Sequence, residues 1–260
     1  MADLPLSSGV LFVGAHPDDE TVMAGGTLAM LHTQGIPTYL ICATDGRGGE
    51  TGDIPGIDTP AALASVRAEE LRGAALALGA DGLTRFCYED PVVGPDDTLY
   101  PFEADERTLA AQIAEHIERQ KVKIVLTHGS SGEYGHPAHI QLHRAVLRAV
   151  RENTPDVLVY SFAALVSGIE DRIWNVTDPA HFVLDISPWF ETKLAALLCH
   201  RTQHAMFKRR RKLQTVREAV RRIESYHRHH PAVAPGDRPD DVFAALLRSV
   251  GAWTPGESHD

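Results

Sequence analysis

Four short apolar runs in the first half of the chain alternate with stretches of helical spacing, and this alternation restricts the fold more than any other feature. Gly9–Ala15, Thr38–Thr44, Leu83–Tyr88 and Val122–His128 read as strands. Between them Thr21–His32, Ala61–Leu78 and the stretch from about Asp105 to Gln120 read as helices. The last carries Leu109, Ile113 and Ile117 at helical spacing, and Gly79 closes the one before it. Strands separated by helices are joined by long right-handed crossovers, so they lie parallel. The expected class is α/β: a Rossmann-like, mostly parallel sheet flanked by helices. In such sheets the strand order commonly reverses between the first and fourth strands. The crevice so opened, at the carboxyl edge of the strands, is where ligands bind.

Both segments at that crevice carry ligand-type side chains. The first strand runs into Ala15-His16-Pro17-Asp18-Asp19-Glu20. The fourth runs into a loop, Gly129–Gly135, and then His136-Pro137-Ala138-His139, where Pro137 marks a first helical turn. His136, His139 and His143 share one helical face by the three-and-four spacing; His143 is read as a packing or supporting residue. Two histidines and one aspartate leave a fourth zinc position for water, as catalytic sites require. A neighbouring carboxylate that stays off the metal can take the water's proton. Adjacent aspartates meet both needs, because neighbouring side chains point in different directions. The set suits hydrolysis of an amide or ester. Hydride transfer is disfavoured because no GxGxxG follows the first strand, and a serine hydrolase because there is no GxSxG elbow. The glycine-dense loop Asp45–Gly52 lacks the Gly-Lys-Ser/Thr of a phosphate-cradling loop.

The rest of the chain bounds the setting. No apolar run among the 260 residues approaches the roughly 18 that span a membrane, and Met1–Ser8 lacks the basic start of a secretory signal. Cys42, Cys87 and Cys199 are far apart and read as reduced thiols. A formal charge of −10 argues against nucleic acid as a partner. The expectation is a soluble, cytoplasmic protein with no membrane partner. A fifth strand is read at Asp156–Phe162 and a later one at His181–Ser187, with irregular chain over Ser167–Ala180 and a helix over Pro188–His204. Lys208–Lys212 reads as a solvated basic helix face, and His227-Arg228-His229-His230 as an adventitious metal binder. Pro231–Pro239 precedes a short final helix. The whole is read as one domain, residues 1–260, with a core at about 8–205 and a helical tail at 206–260.

Ala15–Glu20 with Gly135–His139 resembles the PIG-L/LmbE-like superfamily of zinc-dependent deacetylases. Arg67-Ala-Glu-Glu-Leu71 with Leu78-Gly79, and Asp185, Lys193, Ala196-Leu197, His200 and Gln203, resemble further motifs of that family. The resemblance implies zinc, with iron(II) as the alternative, on His16, Asp19 and His139, and Asp18 as general base. It implies that His136 stabilises the oxyanion or helps to protonate the amine, and that Tyr134 is a mobile partner of the scissile carbonyl. Arg67, Arg47 with its loop, and Asp90 would face the substrate. The reaction implied is removal of the acetyl group from an N-acetylglucosamine-type conjugate, here a small soluble glycoside, since no membrane helix suits a lipid-linked one. Hydrolysis of another N-acyl amide, or non-catalytic sugar binding on a held metal, are the alternatives; an intact Asp18 disfavours the second. A homo-oligomer is compatible with this reading. Two departures stand out. Ala138 replaces the family's usual aspartate, which leaves the acid role of His136 dependent on another carboxylate. Gly46-Arg47-Gly48 stands where relatives often carry Gly-Glu.

Overall fold

A computed structural model describes residues 9–52, 54–234 and 236–256; the N-terminal segment Met1–Ser8, read above as no secretory signal, lies outside them. Elements β1 (Val10–Gly14), α1 (Asp19–Thr33), β2 (Thr38–Thr44), α2 (Pro60–Leu78), β3 (Gly82–Tyr88), α3 (Glu106–Gln120) and β4 (Ile124–Thr127) follow the expected alternation. A single turn, α4 (Gly132–Gly135), leads to α5 (Pro137–Asn153) and β5 (Leu158–Phe162). The remainder comprises β6 (Ala164–Leu165), β7 (Asn175–Pro179), β8 (Phe182–Asp185), α6 (Phe190–Cys199), α7 (His204–Arg211), α8 (Val216–Ala219), β9 (Ile223–His230) and α9 (Val242–Ser249).

Helix ends follow local chemistry. The Thr59 side chain accepts a hydrogen bond from Ala62 N, with Pro60 in the first turn, and Gly79 closes α2 at φ 76°. Asp105 caps α3 by accepting from Thr108 N at 2.9 Å. The main sheet runs β3-β2-β1-β4-β5-β9-β8, so the order reverses between β1 and β4. Strands β1 to β5 are parallel, whereas β9 is antiparallel to both of its neighbours. Alternation along β1 divides the core. Val10 and Phe12 pack with Met23 and Leu28 of α1 and Leu197 of α6; Leu11 and Val13 pack with Ile113 of α3 and Val146 of α5. Helices therefore cover both faces, as a parallel sheet demands.

Three expectations fail in the second half. Ser167–Ala180 is not wholly irregular, because β7 pairs in parallel with β6 in a small second sheet. The helix expected over Pro188–His204 is broken. Its α6 segment stops at Cys199 and α7 restarts at His204. Tertiary bonds hold the break: His200 Nε2 lies 2.7 Å from Glu20 Oε1, and Thr202 donates to Glu70 through its amide and hydroxyl at 2.9 and 2.6 Å. The tail beyond 205 is not all helical either, since β9 fills the gap between β5 and β8. Glu224 of β9 is buried, yet it accepts from Gly26 N, Thr27 N and Lys193 Nζ at 2.7, 2.8 and 2.6 Å. Those bonds make a buried carboxylate tolerable.

Candidate active site and metal centre

The reversal between β1 and β4 brings the two His-containing segments together. His16 follows β1, and Asp19 is the first residue of α1. His16 Nδ1 lies 3.1 Å from His139 Nε2, Asp19 Oδ2 lies 3.5 Å from His16 Nδ1, and Asp19 Oδ1 lies 3.7 Å from His139 Nε2. Two ligands at 2.0–2.1 Å on a tetrahedral zinc ion stand roughly 3.3 Å apart, so these separations fit a shared ion. His136 also offers a nitrogen to the group of His16 and His139, and His128 to that of Asp19 and His139; within each set of three, the donor atoms lie within 4.8 Å of one another.

Carboxylates behind the histidines fix which nitrogen faces inward. Glu133 is fully buried, and its Oε2 lies 2.7 Å from Nδ1 of both His139 and His128. A carboxylate accepts, so His139 donates through Nδ1–H and its Nε2 lone pair points at the cluster. On the other side, His16 Nε2 lies 3.4 Å from Asp90 Oδ1, which turns Nδ1 of His16 inward. Two imidazole nitrogens facing each other at 3.1 Å need a shared hydrogen or a metal ion between them. The electrostatics agree. Burial opposes charge on His16, but Asp90 and Asp19 outweigh it and raise its pKa to about 10. Burial likewise opposes ionisation of Glu133, yet His128 and His139 hold it down at about 2. The donor set and its surroundings therefore fit a divalent cation.

Asp18 and Asp19 diverge as neighbours should. Asp19 Oδ2 accepts from the amides of Ala15 and His16 at 3.0 and 2.8 Å. Asp18 stands at the N-cap position of α1 without a capping side-chain bond, at φ 134°, a conformation L-residues rarely adopt, and its amide donates to Glu20 Oε2 at 3.1 Å. Its carboxylate lies 3.5 Å from Arg67 Nη2 and faces the cavity. Burial raises its pKa to about 6 against the opposing pull of Arg67. A carboxyl with that value loses and regains a proton near neutrality.

His136 is the N-cap of α5. Its Nδ1 accepts from Ala138 N at 3.2 Å, so the neutral ring carries its proton on Nε2. Burial and the neighbouring His16 and His139 push its pKa far down, and Ala138 is fully buried and supplies no carboxylate. Tyr134 lines the cavity, with its ring centroid 5.8 Å from that of His136; burial and Asp19 raise its phenol, which keeps its proton. Four consecutive residues of positive φ, Gly132, Glu133, Tyr134 and Gly135, form the turn that carries the buried Glu133 and the cavity-lining Tyr134.

The expected substrate-facing residues separate. Asp90 and Arg67 line the cavity, but Arg67 is largely occupied: it donates to Gly46 O at 2.9 Å and to Pro17 O. Arg47 is not among the lining residues. It is held by Asp45, at 2.7 Å, and by Glu89, while its neighbours Gly48 and Gly49 reach the cavity. His128 and Glu133 were not read from the sequence as site residues. The available signals were a histidine at the end of a strand and a carboxylate in the loop before His-x-x-His. Arg172, Arg210, Met206 and Phe207 also line the cavity, and no motif marks them.

This fold and this cluster place the chain in the PIG-L family, described as GlcNAc-PI de-N-acetylase, whose model matches residues 11–150. The chain belongs to that family and is thus an N-deacetylase among the hydrolases. Among curated relatives it is similar to the 1D-myo-inositol 2-acetamido-2-deoxy-alpha-D-glucopyranoside deacetylase of Acidothermus cellulolyticus, at 31% identity over 237 residues, covering 76% of this chain and 80% of that protein. The fold is shared with N,N'-diacetylchitobiose deacetylase from Pyrococcus horikoshii, at TM-score 0.61 and 17% identity, covering 88% of this chain and 87% of that one. It is also shared with the 4-carboxy-2-hydroxymuconate hydratase GalB from Pseudomonas putida, at TM-score 0.60 and 24% identity over 87% of this chain and 98% of the other.

Proposed function

We propose that this protein hydrolyses the acetamide of an N-acetylglucosamine-type glycoside, releasing acetate and the free amine, with a divalent metal held by His16, Asp19 and His139. The observation that carries the reading is the meeting of two carboxylate-backed histidines, His16 with Asp90 and His139 with Glu133, beside an Asp18 that faces the cavity. Zinc or iron(II) on such a set supplies a Lewis acid; zinc lowers the pKa of water to about 7 and polarises a carbonyl. Asp18 takes the proton of the attacking water and returns it to the amine nitrogen as the C–N bond breaks. His136 donates from Nε2–H to the acyl oxygen, where negative charge develops. With its pKa held so low and no carboxylate at position 138, it is a hydrogen-bond donor rather than the acid. The protonated Tyr134 phenol is a second donor on the same side. The named substrates of the relatives, an N-acetylated glucopyranoside of inositol and N,N'-diacetylchitobiose, support an N-acetylated sugar. No helix among the described residues is long and apolar enough to cross a membrane, which favours a small glycoside over a lipid-linked one.

The test is a metal-loaded assay over N-acetylglucosamine glycosides and N-acetyl amino acids, read as free amine. Turnover confined to the sugars is expected. Turnover confined to the amino acids would replace the substrate class, and zinc binding without turnover on either would leave a binding protein.

A further inference from the structure

We infer that His200 and Glu20 are positioning residues for Asp18, which together hold the Pro17–Asp18 peptide in the orientation that aims the Asp18 carboxylate at the cavity; this rests on the deacetylase reading above. At φ 134°, and with no capping bond from its own side chain, Asp18 needs an outside hold. Its φ is the rotation between the peptide before it and the peptide after it. The later peptide belongs to the start of α1, since Asp18 O accepts from Thr21 N and Val22 N at 3.1 and 2.9 Å. The earlier one is gripped at both ends: Pro17 O accepts from Arg67 Nη2, and Asp18 N donates to Glu20 Oε2 at 3.1 Å. A return to negative φ would turn that peptide over and break both bonds.

Arg67 lines the cavity and lies 3.5 Å from the Asp18 carboxylate, so it acts there in more than one way. Glu20 and His200 are not among the lining residues, and both are buried. The Glu20 carboxylate accepts from three donors. Oε2 takes Asp18 N, while Oε1 takes the Thr21 hydroxyl at 2.6 Å and His200 Nε2–H at 2.7 Å. The break between α6 and α7 delivers His200 from 180 residues away, and Thr202, bonded to Glu70 of α2, pins that break. His200 Nδ1 is buried and has no hydrogen-bond partner among the described residues. A buried unpaired nitrogen costs stability, and an apolar side chain would fill the space without that cost. What the imidazole supplies is one bond, from Nε2–H to Glu20, and through Glu20 a fixed Asp18 amide.

His200→Leu removes the donor. Glu20→Gln keeps the shape, but its carbonyl oxygen is drawn to the two donors of Thr21 and His200, which leaves its amino group against Asp18 N–H. With zinc-loaded protein and methyl N-acetylglucosaminide, read as free amine, each variant should lower kcat by about tenfold or more. KM and zinc content should stay within about twofold of wild type. His200→Gln, whose amide still donates to Glu20, should recover most of the loss. The Glu20→Gln, His200→Leu double variant should be no slower than Glu20→Gln alone, because both act on one peptide. An unchanged kcat, a loss confined to KM or zinc content, no recovery in His200→Gln, or losses that multiply would each overturn the inference. If His200→Leu does not fold, Glu20→Gln decides by the same readouts. If wild type releases no amine from any glycoside, the deacetylase reading fails on its own, and crystal structures decide the positioning. Asp18 at positive φ in wild type and negative φ in Glu20→Gln sustains it, and the same φ in both removes it.

Discussion

Asp18 and Asp19 are neighbours with opposite surroundings, and their substitutions should differ accordingly. Asp19 is fixed by two backbone amides and faces both histidines, so Asp19→Asn is expected to lose metal, seen as reduced metal content after dialysis. Asp18→Asn should keep its metal and turn over about 10²–10⁴-fold more slowly, the usual worth of general-base help. Metal content that followed Asp18 instead would reverse the assigned roles. Glu133 is the residue-scale feature with the widest reach, because one oxygen fixes the tautomers of His128 and His139 together. Glu133→Gln should weaken zinc binding by about 10–100-fold, measured by chelator competition, whatever the activity. His16 and His139 were legible in the sequence because each sits in a short motif, His-Pro-Asp-Asp-Glu and His-Pro-Ala-His, at a strand end or the helix start that follows one, whereas His128, a lone histidine ending a strand, was not. Glu133 was not, since a carboxylate in a glycine-rich loop reads as solvated until four consecutive residues of positive φ turn it inward.

At the scale of elements, β7 matters more than its length suggests. Its Asp178 accepts from Ser130 N at 2.7 Å and from the Ser130 hydroxyl, and lies 3.4 Å from His229 of β9. It thereby ties the loop after β4 to the second sheet. Burial opposes its ionisation, but His229 and the Ser130 donors hold its carboxyl well below the usual range. A depressed folded pKa means stability that is present above the unfolded value of about 3.9 and is lost as pH falls toward the folded one. Asp178→Asn should therefore cost about 1 kcal/mol near neutrality, with the gap to wild type closing below about pH 4 in urea titrations. A constant gap across that range would show that the ionised form contributes nothing. The alternating elements of the first half were legible because β1, β2 and β4 are largely apolar runs buried on both faces, and β3, at the sheet edge, is bounded by Gly79 and Pro91. The second half was not: β9 reads Ile-Glu-Ser-Tyr-His-Arg-His-His, with its buried positions satisfied by partners distant in sequence, such as Lys193 and Gly26.

Over the whole molecule, the sheet and its two apolar layers form without reference to the cluster, so the metal is expected to stabilise a fold that already exists. Free zinc at a thousandfold excess over its Kd would add about 4 kcal/mol. Chelation should lower the thermal midpoint while leaving the far-ultraviolet spectrum unchanged. A midpoint indifferent to chelator would mean that the cluster holds no ion.

The position of β9 also governs how the chain is made. Until residues 223–230 leave the ribosome, β5, with its sequence Leu-Val-Tyr-Ser-Phe, is the unpaired margin of a five-stranded parallel sheet. Such a margin invites pairing with other nascent chains. Synthesis of the stretch between β5 and β9 therefore sets how long each copy is exposed to aggregation, and a chain halted near residue 205 should associate into oligomers on sedimentation although both histidine segments have already been made.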